Sequence, residues 1–134
     1  MSEQRDRMKT KLIPPLDVSR VLIASFLLPL FGCADLCGNE LLHSVRSPNG
    51  KFTAVVFVRD CGATTVFSTQ VSIVSADRAL LGEAGNTFVG DGRLSISVKW
   101  DIDGALYISG VGEGSRIVKQ EPLVSGVRVS YAPL

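Results

Sequence analysis

Apolar and polar residues alternate in short segments through most of the chain beyond residue 40. This period of two is typical of strands with one buried face, and no segment there sustains the 3.6-residue period of an amphipathic helix. Strands are predicted at Phe52–Arg59, Val66–Val74, Leu94–Trp100, around Leu106 and Ile108, and around Val127, Val129 and Tyr131. Weaker strands are predicted at Leu41–Val45, Ala79–Leu81, Thr87–Val89 and Arg116–Lys119.

Two of these strands indicate how the core is built. Phe52–Arg59 is apolar on both faces at its centre, which predicts a central strand that is covered on both sides. Val66–Val74 alternates instead, because successive side chains of a strand point to opposite faces. One face is predicted to carry Phe67, Val71 and Ile73, and the other Ser68, Gln70 and Ser72.

Turn-forming residues separate the strands. Residues 47–51 (SPNGK) place Pro and an Asn-Gly pair where a tight turn needs a fixed φ and then a positive φ. Asp103-Gly104 lies between two alternating runs and predicts a two-residue hairpin. Short strands joined by such turns predict an all-β domain, an antiparallel meander that forms a small sandwich or a partly open barrel.

The N-terminal part of the chain has a different pattern. The ten residues Val21–Leu30 (VLIASFLLPL) form an apolar run, and residues 1–20 carry five Lys and Arg against three Asp and Glu. A signal-peptide core has about 7–15 apolar residues, whereas a transmembrane helix needs about 20. Residues 1–32 are therefore predicted to be an export signal that is removed from the mature chain.

The end of this segment, Leu30-Phe31-Gly32-Cys33, resembles the lipobox of bacterial lipoproteins. Leu30, Gly32 and Cys33 match the motif, while Phe31 replaces its usual small or aliphatic residue. The resemblance implies that Cys33 receives lipid and anchors the chain to a membrane of the cell envelope. Ala34 replaces the Asp that retains enteric lipoproteins in the inner membrane, which favours the periplasmic face of the outer membrane. The alternative is an ordinary signal peptide or an uncleaved anchor with an unmodified Cys33.

The chain has three cysteines, and lipid on Cys33 leaves Cys37 and Cys61 as a pair. Exported proteins occupy compartments in which disulfides persist. A Cys37–Cys61 disulfide would close a loop of about 25 residues and contribute roughly 3 kcal/mol. A metal site would need more nitrogen or carboxylate ligands at suitable spacing than the single histidine, His43, suggests. No metal or other cofactor is therefore predicted.

These observations predict three parts: a lipoprotein signal peptide (1–32), a tether (33–40) and a single β-domain (41–134). The roughly 100 residues after the signal suffice for one domain with a limited core. From Cys33 onward, nine Lys and Arg and ten Asp and Glu are scattered singly. Because no basic patch results, nucleic acid is not expected as a partner.

Residues 47–73 carry a second resemblance. SPNGK at 47–51, RDCGATT at 59–65 and FSTQVSI at 67–73 are similar to a family of small bacterial exported proteins of unknown function. That family has the pattern SPDGK, a strand, RDCGATT, one further residue and FSTQVSI. Asn49 replaces the Asp of the family's turn. The resemblance implies an exported protein, but it implies no activity.

The same stretch contains the candidate binding residues. Asp60, Thr64, Thr65, Ser68 and Gln70 are predicted to line one polar recognition surface beside Cys61. The alternative is a connection held by the disulfide, in which the polar side chains bond to nearby backbone groups.

No catalytic residue is assigned. His43 is the only imidazole, and the chain has no nucleophile-elbow motif. The leading prediction is a non-enzymatic binding or structural module that holds an envelope protein or a glycan near the membrane. The alternative is an envelope hydrolase that uses a strand-end hydroxyl and Asp residues such as Asp91, Asp101 and Asp103, all in predicted hairpin turns.

Overall fold

The computed structural model describes residues 37–80, 82–110, 112 and 114–132; the predicted signal segment and Cys33 lie outside these residues. The described residues contain no helix, and hence none long and apolar enough to cross a bilayer. They form nine strands: β1 (Gly38–Arg46), β2 (Phe52–Asp60), β3 (Ser68–Ser75), β4 (Phe88–Asp91), β5 (Ser97–Trp100), β6 (Leu106–Ser109), β7 (Ile117–Gln120), β8 (Leu123–Val124) and β9 (Val127–Ala132). The prediction of an all-β domain is confirmed.

The strands form two sheets, so the structure is a sandwich and not a closed barrel. The first sheet has the order β1-β2-β3-β4-β7 and is antiparallel throughout, and its first four strands are a meander. The second sheet has the order β5-β6-β9-β8. The second sheet is not a meander. After β6 the chain crosses to the first sheet as β7 and then returns, so that β9 lies parallel to β6. Alternation of side chains identifies strands but does not encode their partners or directions.

One apolar core lies between the sheets. In the second sheet, Val98 and Trp100 are buried while Ser97 and Lys99 between them are exposed, as the alternation predicts. Burial of apolar surface on the two inner faces is the main force that holds such sheets together. The core residues are Ala54, Val56, Val71, Ile73 and Phe88 from the first sheet and Ile96, Val98, Trp100, Leu106, Ile108, Val127 and Val129 from the second.

The central strand β2 is buried on both faces, which confirms its prediction as a covered strand. Ala54 and Val56 belong to the core between the sheets. On the opposite, outer face, Val55 and Phe57 are 6% and 0% exposed. This outer face is covered by the connection between β3 and β4 (residues 76–87), which we name the covering connection.

Polar side chains of the outer face bind the covering connection. The Gln70 side chain is 4% exposed; its Oε1 accepts a hydrogen bond from the Gly85 N–H at 2.5 Å. Its Nε2 donates to Ser68 Oγ at 2.7 Å. Arg59 donates from Nη1 to the Gly82 carbonyl at 2.6 Å. Because buried polar groups need partners, these bonds allow a polar sheet face to be covered at little cost.

Each side of the sandwich carries a hydrogen bond between the sheets. On one side, Trp100 Nε1 donates to the Val45 carbonyl at 2.9 Å and joins the edge strands β5 and β1. On the other, the Tyr131 hydroxyl lies 2.7 Å from the Glu121 carbonyl and 3.2 Å from the Thr87 carbonyl. These contacts fix the lateral position of one sheet on the other, which apolar packing alone does not specify.

Three strands begin two or three residues away from their predicted starts, while several other boundaries differ by one or two residues. β1 begins at Gly38 instead of Leu41, so Gly38–Glu40, expected in the tether, pair with the end of β2. β3 begins at Ser68 instead of Val66. β5 begins at Ser97 instead of Leu94, because the Leu94 N–H donates to the side-chain hydroxyl of Thr69 at 2.7 Å and not to a backbone carbonyl of a neighbouring strand.

One predicted strand is absent from the described residues, and one observed strand is not predicted. Ala79 and Leu80 of the predicted strand Ala79–Leu81 lie in the covering connection and in no strand, while Leu81 lies outside the described residues. The Arg78 N–H bonds the Ser75 carbonyl at 2.9 Å, and this turn directs the chain across the sheet face instead of along its edge. β8, with two residues, was not predicted, because so short a segment has no periodicity.

Replacing Gln70 by Ala should destabilise the domain by about 2 kcal/mol, because the Gly85 N–H would lose its acceptor in a buried position. Gln120→Ala is the matched control, since Gln120 lies in a strand with an exposed side chain, and it should change stability by less than about 0.5 kcal/mol. Denaturant unfolding of both variants measures the difference. Equal effects would contradict the role given to Gln70.

Tyr131 should make stability depend on alkaline pH. Burial, with a smaller contribution from the charge of Glu121, raises the pKa of Tyr131 to about 12, above the ordinary value of about 10. The unfolded chain therefore loses this proton first, so the stabilisation is complete below pH about 10 and is lost as pH rises towards 12. Tyr131→Phe should cost about 1 kcal/mol at neutral pH and less at pH 11, as measured by denaturant unfolding. A cost independent of pH would contradict this assignment.

Candidate functional site

Cys37 and Cys61 form a disulfide, as the cysteine count predicts. Cys37 comes directly before β1 and Cys61 directly after β2. The register between the two strands places Gly38 opposite Asp60, so the antiparallel pairing brings the cysteines together. The bond thus closes one end of the first sheet, which we name the disulfide end.

The connection between β2 and β3 (residues 61–67) lies at the disulfide end, and its polar side chains bond to its own backbone. Asp60 Oδ1 accepts from the Gly62 N–H at 2.9 Å. The Thr65 N–H and its hydroxyl both donate to the Gly62 carbonyl at 3.1 Å. Gly62 has φ of 96°, a conformation that favours glycine. The RDCGATT segment therefore forms a compact turn, consistent with the alternative that these side chains satisfy backbone groups.

The five predicted recognition residues do not share one surface. Asp60, Thr64 and Thr65 are exposed at the disulfide end, and Ser68 beside them is half-buried. Gln70 is buried under the covering connection, where it binds Gly85 N–H, and it is excluded from any recognition surface. The sequence correctly indicates that Ser68 and Gln70 point away from the core. It does not reveal that a later segment covers that face.

Three residues at the disulfide end were not predicted as site residues. The Arg93 guanidinium carbon lies 4.8 Å from the centre of the Phe67 ring, and Arg93 Nη2 lies 3.0 Å from Glu40 Oε2. Both contacts are solvent-exposed, so each is worth about 1 kcal/mol or less. Arg93 and Glu40 are far apart in the sequence, and no local pattern signals their contact.

Backbone pairing explains why Arg93 lies at the disulfide end. The Gly92 N–H donates to the Phe67 carbonyl at 2.6 Å, and the Thr69 hydroxyl donates to the Gly92 carbonyl at 2.8 Å. These bonds hold the residue after β4 against the start of β3. Arg93 then completes the wall of an open recess of about 260 Å³, which is lined by Gly38, Asn39, Glu40, Val58, Asp60, Phe67 and Arg93.

The recess has the features of a contact surface more than those of a reaction centre. Its cation, Arg93, is paired with Glu40, and Asp60 already accepts a backbone hydrogen bond. Such a recess can receive a small polar group or a side chain of a partner, with Phe67 as its aromatic wall. Among the residues that the structure describes, no three of the His, Cys, Asp and Glu side chains are grouped closely enough to hold a metal ion.

Of the Asp residues considered for a hydrolase, Asp101 and Asp103 share one turn, and Asp91 lies in a different sheet. Asp101 and Asp103 belong to the turn between β5 and β6, where Asp101 Oδ1 accepts from the Ala105 N–H at 2.8 Å. Asp91 is at the end of β4, 3.8 Å from Arg116 Nε. His43 is exposed on the edge strand β1. These groups do not converge on a common point.

No protein-family model, curated protein or solved structure matches the chain. The resemblance of residues 47–73 to exported bacterial proteins therefore stays a prediction from sequence. The functional interpretation rests on the chain's own residues and on their arrangement at the disulfide end.

Removing the disulfide should destabilise the domain substantially. The double variant Cys37→Ala with Cys61→Ala should lose about 2–5 kcal/mol, because its unfolded chain is no longer constrained by the loop that spans 24 positions. Cys33→Ala is the matched control, since it removes a cysteine and leaves the bond intact. Denaturant unfolding compares the three proteins. Equal stability of the double variant and the unsubstituted chain would show that the bond does not support the fold.

Proposed function

We propose that this chain is a lipid-anchored protein of the cell envelope and that its β-domain is a non-enzymatic binding module. Lipid on Cys33 holds the domain at a membrane, and the disulfide end presents the contact surface. The observation that carries the proposal is the Cys37–Cys61 bond. It leaves Cys33 as the one cysteine outside the pair, at the end of the apolar run Val21–Leu30.

The disulfide supports export independently of the lipobox. Structural disulfides persist in oxidising compartments and are rare in the cytosol. A domain of about 100 residues has a limited core, so a bond between its first two strands is a useful stabiliser. The signal segment, the lipobox and the bond therefore support the same compartment. Ala34 supports the periplasmic face of the outer membrane where the host has one.

The arrangement of polar groups supports binding over catalysis. The polar side chains on the outer face of β3 hold the covering connection, and Thr65 bonds to the backbone of its own turn. The accessible features of the disulfide end are the recess, the Phe67 ring and the paired Arg93. Aromatic residues and Arg are enriched in the surfaces through which proteins contact partners. An envelope protein or a glycan is the proposed partner.

Cys33→Ala tests the anchor. The variant should lose incorporation of a radiolabelled fatty acid and should either leave the membrane fraction or accumulate as the uncut precursor. The control is Cys37→Ala with Cys61→Ala, which should retain both the label and the membrane location. A Cys33→Ala protein that is processed normally and stays with the membrane would refute lipid anchoring.

A further inference from the structure

We propose that the disulfide end makes a second contact with the lipid surface, through Val66 and Phe67. These side chains are 75% and 40% exposed, and they are adjacent in the connection between β2 and β3. The inference rests on the proposed lipid anchor and adds to it an orientation of the domain. Val66 and the solvent-exposed part of Phe67 are assigned to the bilayer surface, while the rest of the Phe67 ring lines the recess.

The covalent chain places this connection close to the anchor. Cys33 precedes Cys37 by four residues, which span at most about 14 Å even when fully extended. Cys37 is bonded to Cys61, the first residue of the connection that carries Val66 and Phe67. With the lipid of Cys33 inserted in the bilayer, this connection is therefore within reach of the headgroup region.

The composition of the connection suits a lipid interface. Residues 61–67 (CGATTVF) include no charged side chain, and positions 62–67 are all exposed. Val66 and Phe67 can therefore enter the interfacial layer without removing a charge from water. Arg93 lies against the Phe67 ring and can keep its guanidinium at the level of the phosphates. The charges around this connection include Glu40, which is paired with Arg93, Asp60, and the pair of Asp91 with Arg116.

The opposite end of the domain lacks these features and serves as an internal comparison. The turn between β5 and β6 lies beside the turn between β1 and β2, since Gly104 is next to the Asn49 side chain. β2 has nine residues, which separate the two ends by about 26 Å. The β5–β6 turn carries Ile102, which is 93% exposed, but Asp101 and Asp103 flank it. An exposed apolar residue is thus present at both ends, but only the disulfide end combines it with an uncharged segment near the anchor.

Tryptophan fluorescence in vesicles tests the orientation. Val66→Trp and Ile102→Trp are matched probes, because both replace an exposed aliphatic residue in a connection. Each full-length variant is processed in cells, purified with its lipid and reconstituted into phosphatidylethanolamine and phosphatidylglycerol vesicles with brominated acyl chains. Trp100 is kept in place, since it is buried, and the unsubstituted chain gives its baseline.

The expected result is quenching of the Val66→Trp emission by bromine at least threefold greater than that of Ile102→Trp, together with a shift to shorter wavelength. Equal quenching of the two probes would overturn the inference. So would a Val66→Trp emission that is shielded from iodide but not quenched by bromine, since this result indicates contact with a protein or a second copy.

The double variant Val66→Ser with Phe67→Ser separates this inference from the proposed anchor. It should float with vesicles as the unsubstituted protein does, because the lipid suffices for attachment. A Thr64→Trp probe added to it should lose at least half of its bromine quenching. Unchanged quenching at position 64 would overturn the second contact and leave the anchor intact. Failure of the unsubstituted, processed protein to float would instead refute the anchor itself.

Discussion

The structure depends on the burial of the central strand β2 on both faces. One face packs in the core between the sheets, and the other carries Val55 and Phe57, which a two-layer sandwich alone would leave in water. The covering connection removes them from water, but it must lie on a face that also includes the polar residues Gln70 and Ser72. Gln70 and Arg59 bind the backbone of the covering connection, and Ser72 Oγ accepts from the Asn86 N–H at 3.2 Å.

This arrangement restricts where the domain can meet a partner. Two side chains of the most distinctive polar stretch already make hydrogen bonds within the chain. Gln70 bonds the covering connection, and the exposed Thr65 bonds the backbone of its own turn. The edge strand β1 is also protected, since it contains a bulge near Leu41 and its Val45 carbonyl accepts from Trp100. The disulfide end combines an open recess, exposed apolar side chains and the shortest covalent path to Cys33. The proposed anchor and the proposed contact surface therefore fall at the same end.

The sequence predicts where most strands lie, but tertiary contacts decide where some of them begin, as at β3 and β5. The buried β2 follows from its apolar run on both faces, the burial of Val98 and Trp100 from alternation, and the Cys37–Cys61 pair from the cysteine count. The parallel pairing of β9 with β6, the covering connection and the contact of Arg93 with Phe67 depend on residues distant in the sequence. Periodicity identifies which face a side chain occupies, but it does not identify what covers that face, and for this reason it places Gln70 wrongly on a surface.

The central claim is that one chain end combines lipid on Cys33 with the Cys37–Cys61 bond. A non-reducing peptide map of the protein taken from the envelope, analysed by mass spectrometry, tests both parts together. We expect an N-terminal peptide that begins at acylated Cys33 and is linked through Cys37 to the peptide containing Cys61. An N-terminal peptide that extends upstream of Cys33 without lipid, or free thiols at Cys37 and Cys61, would contradict the account.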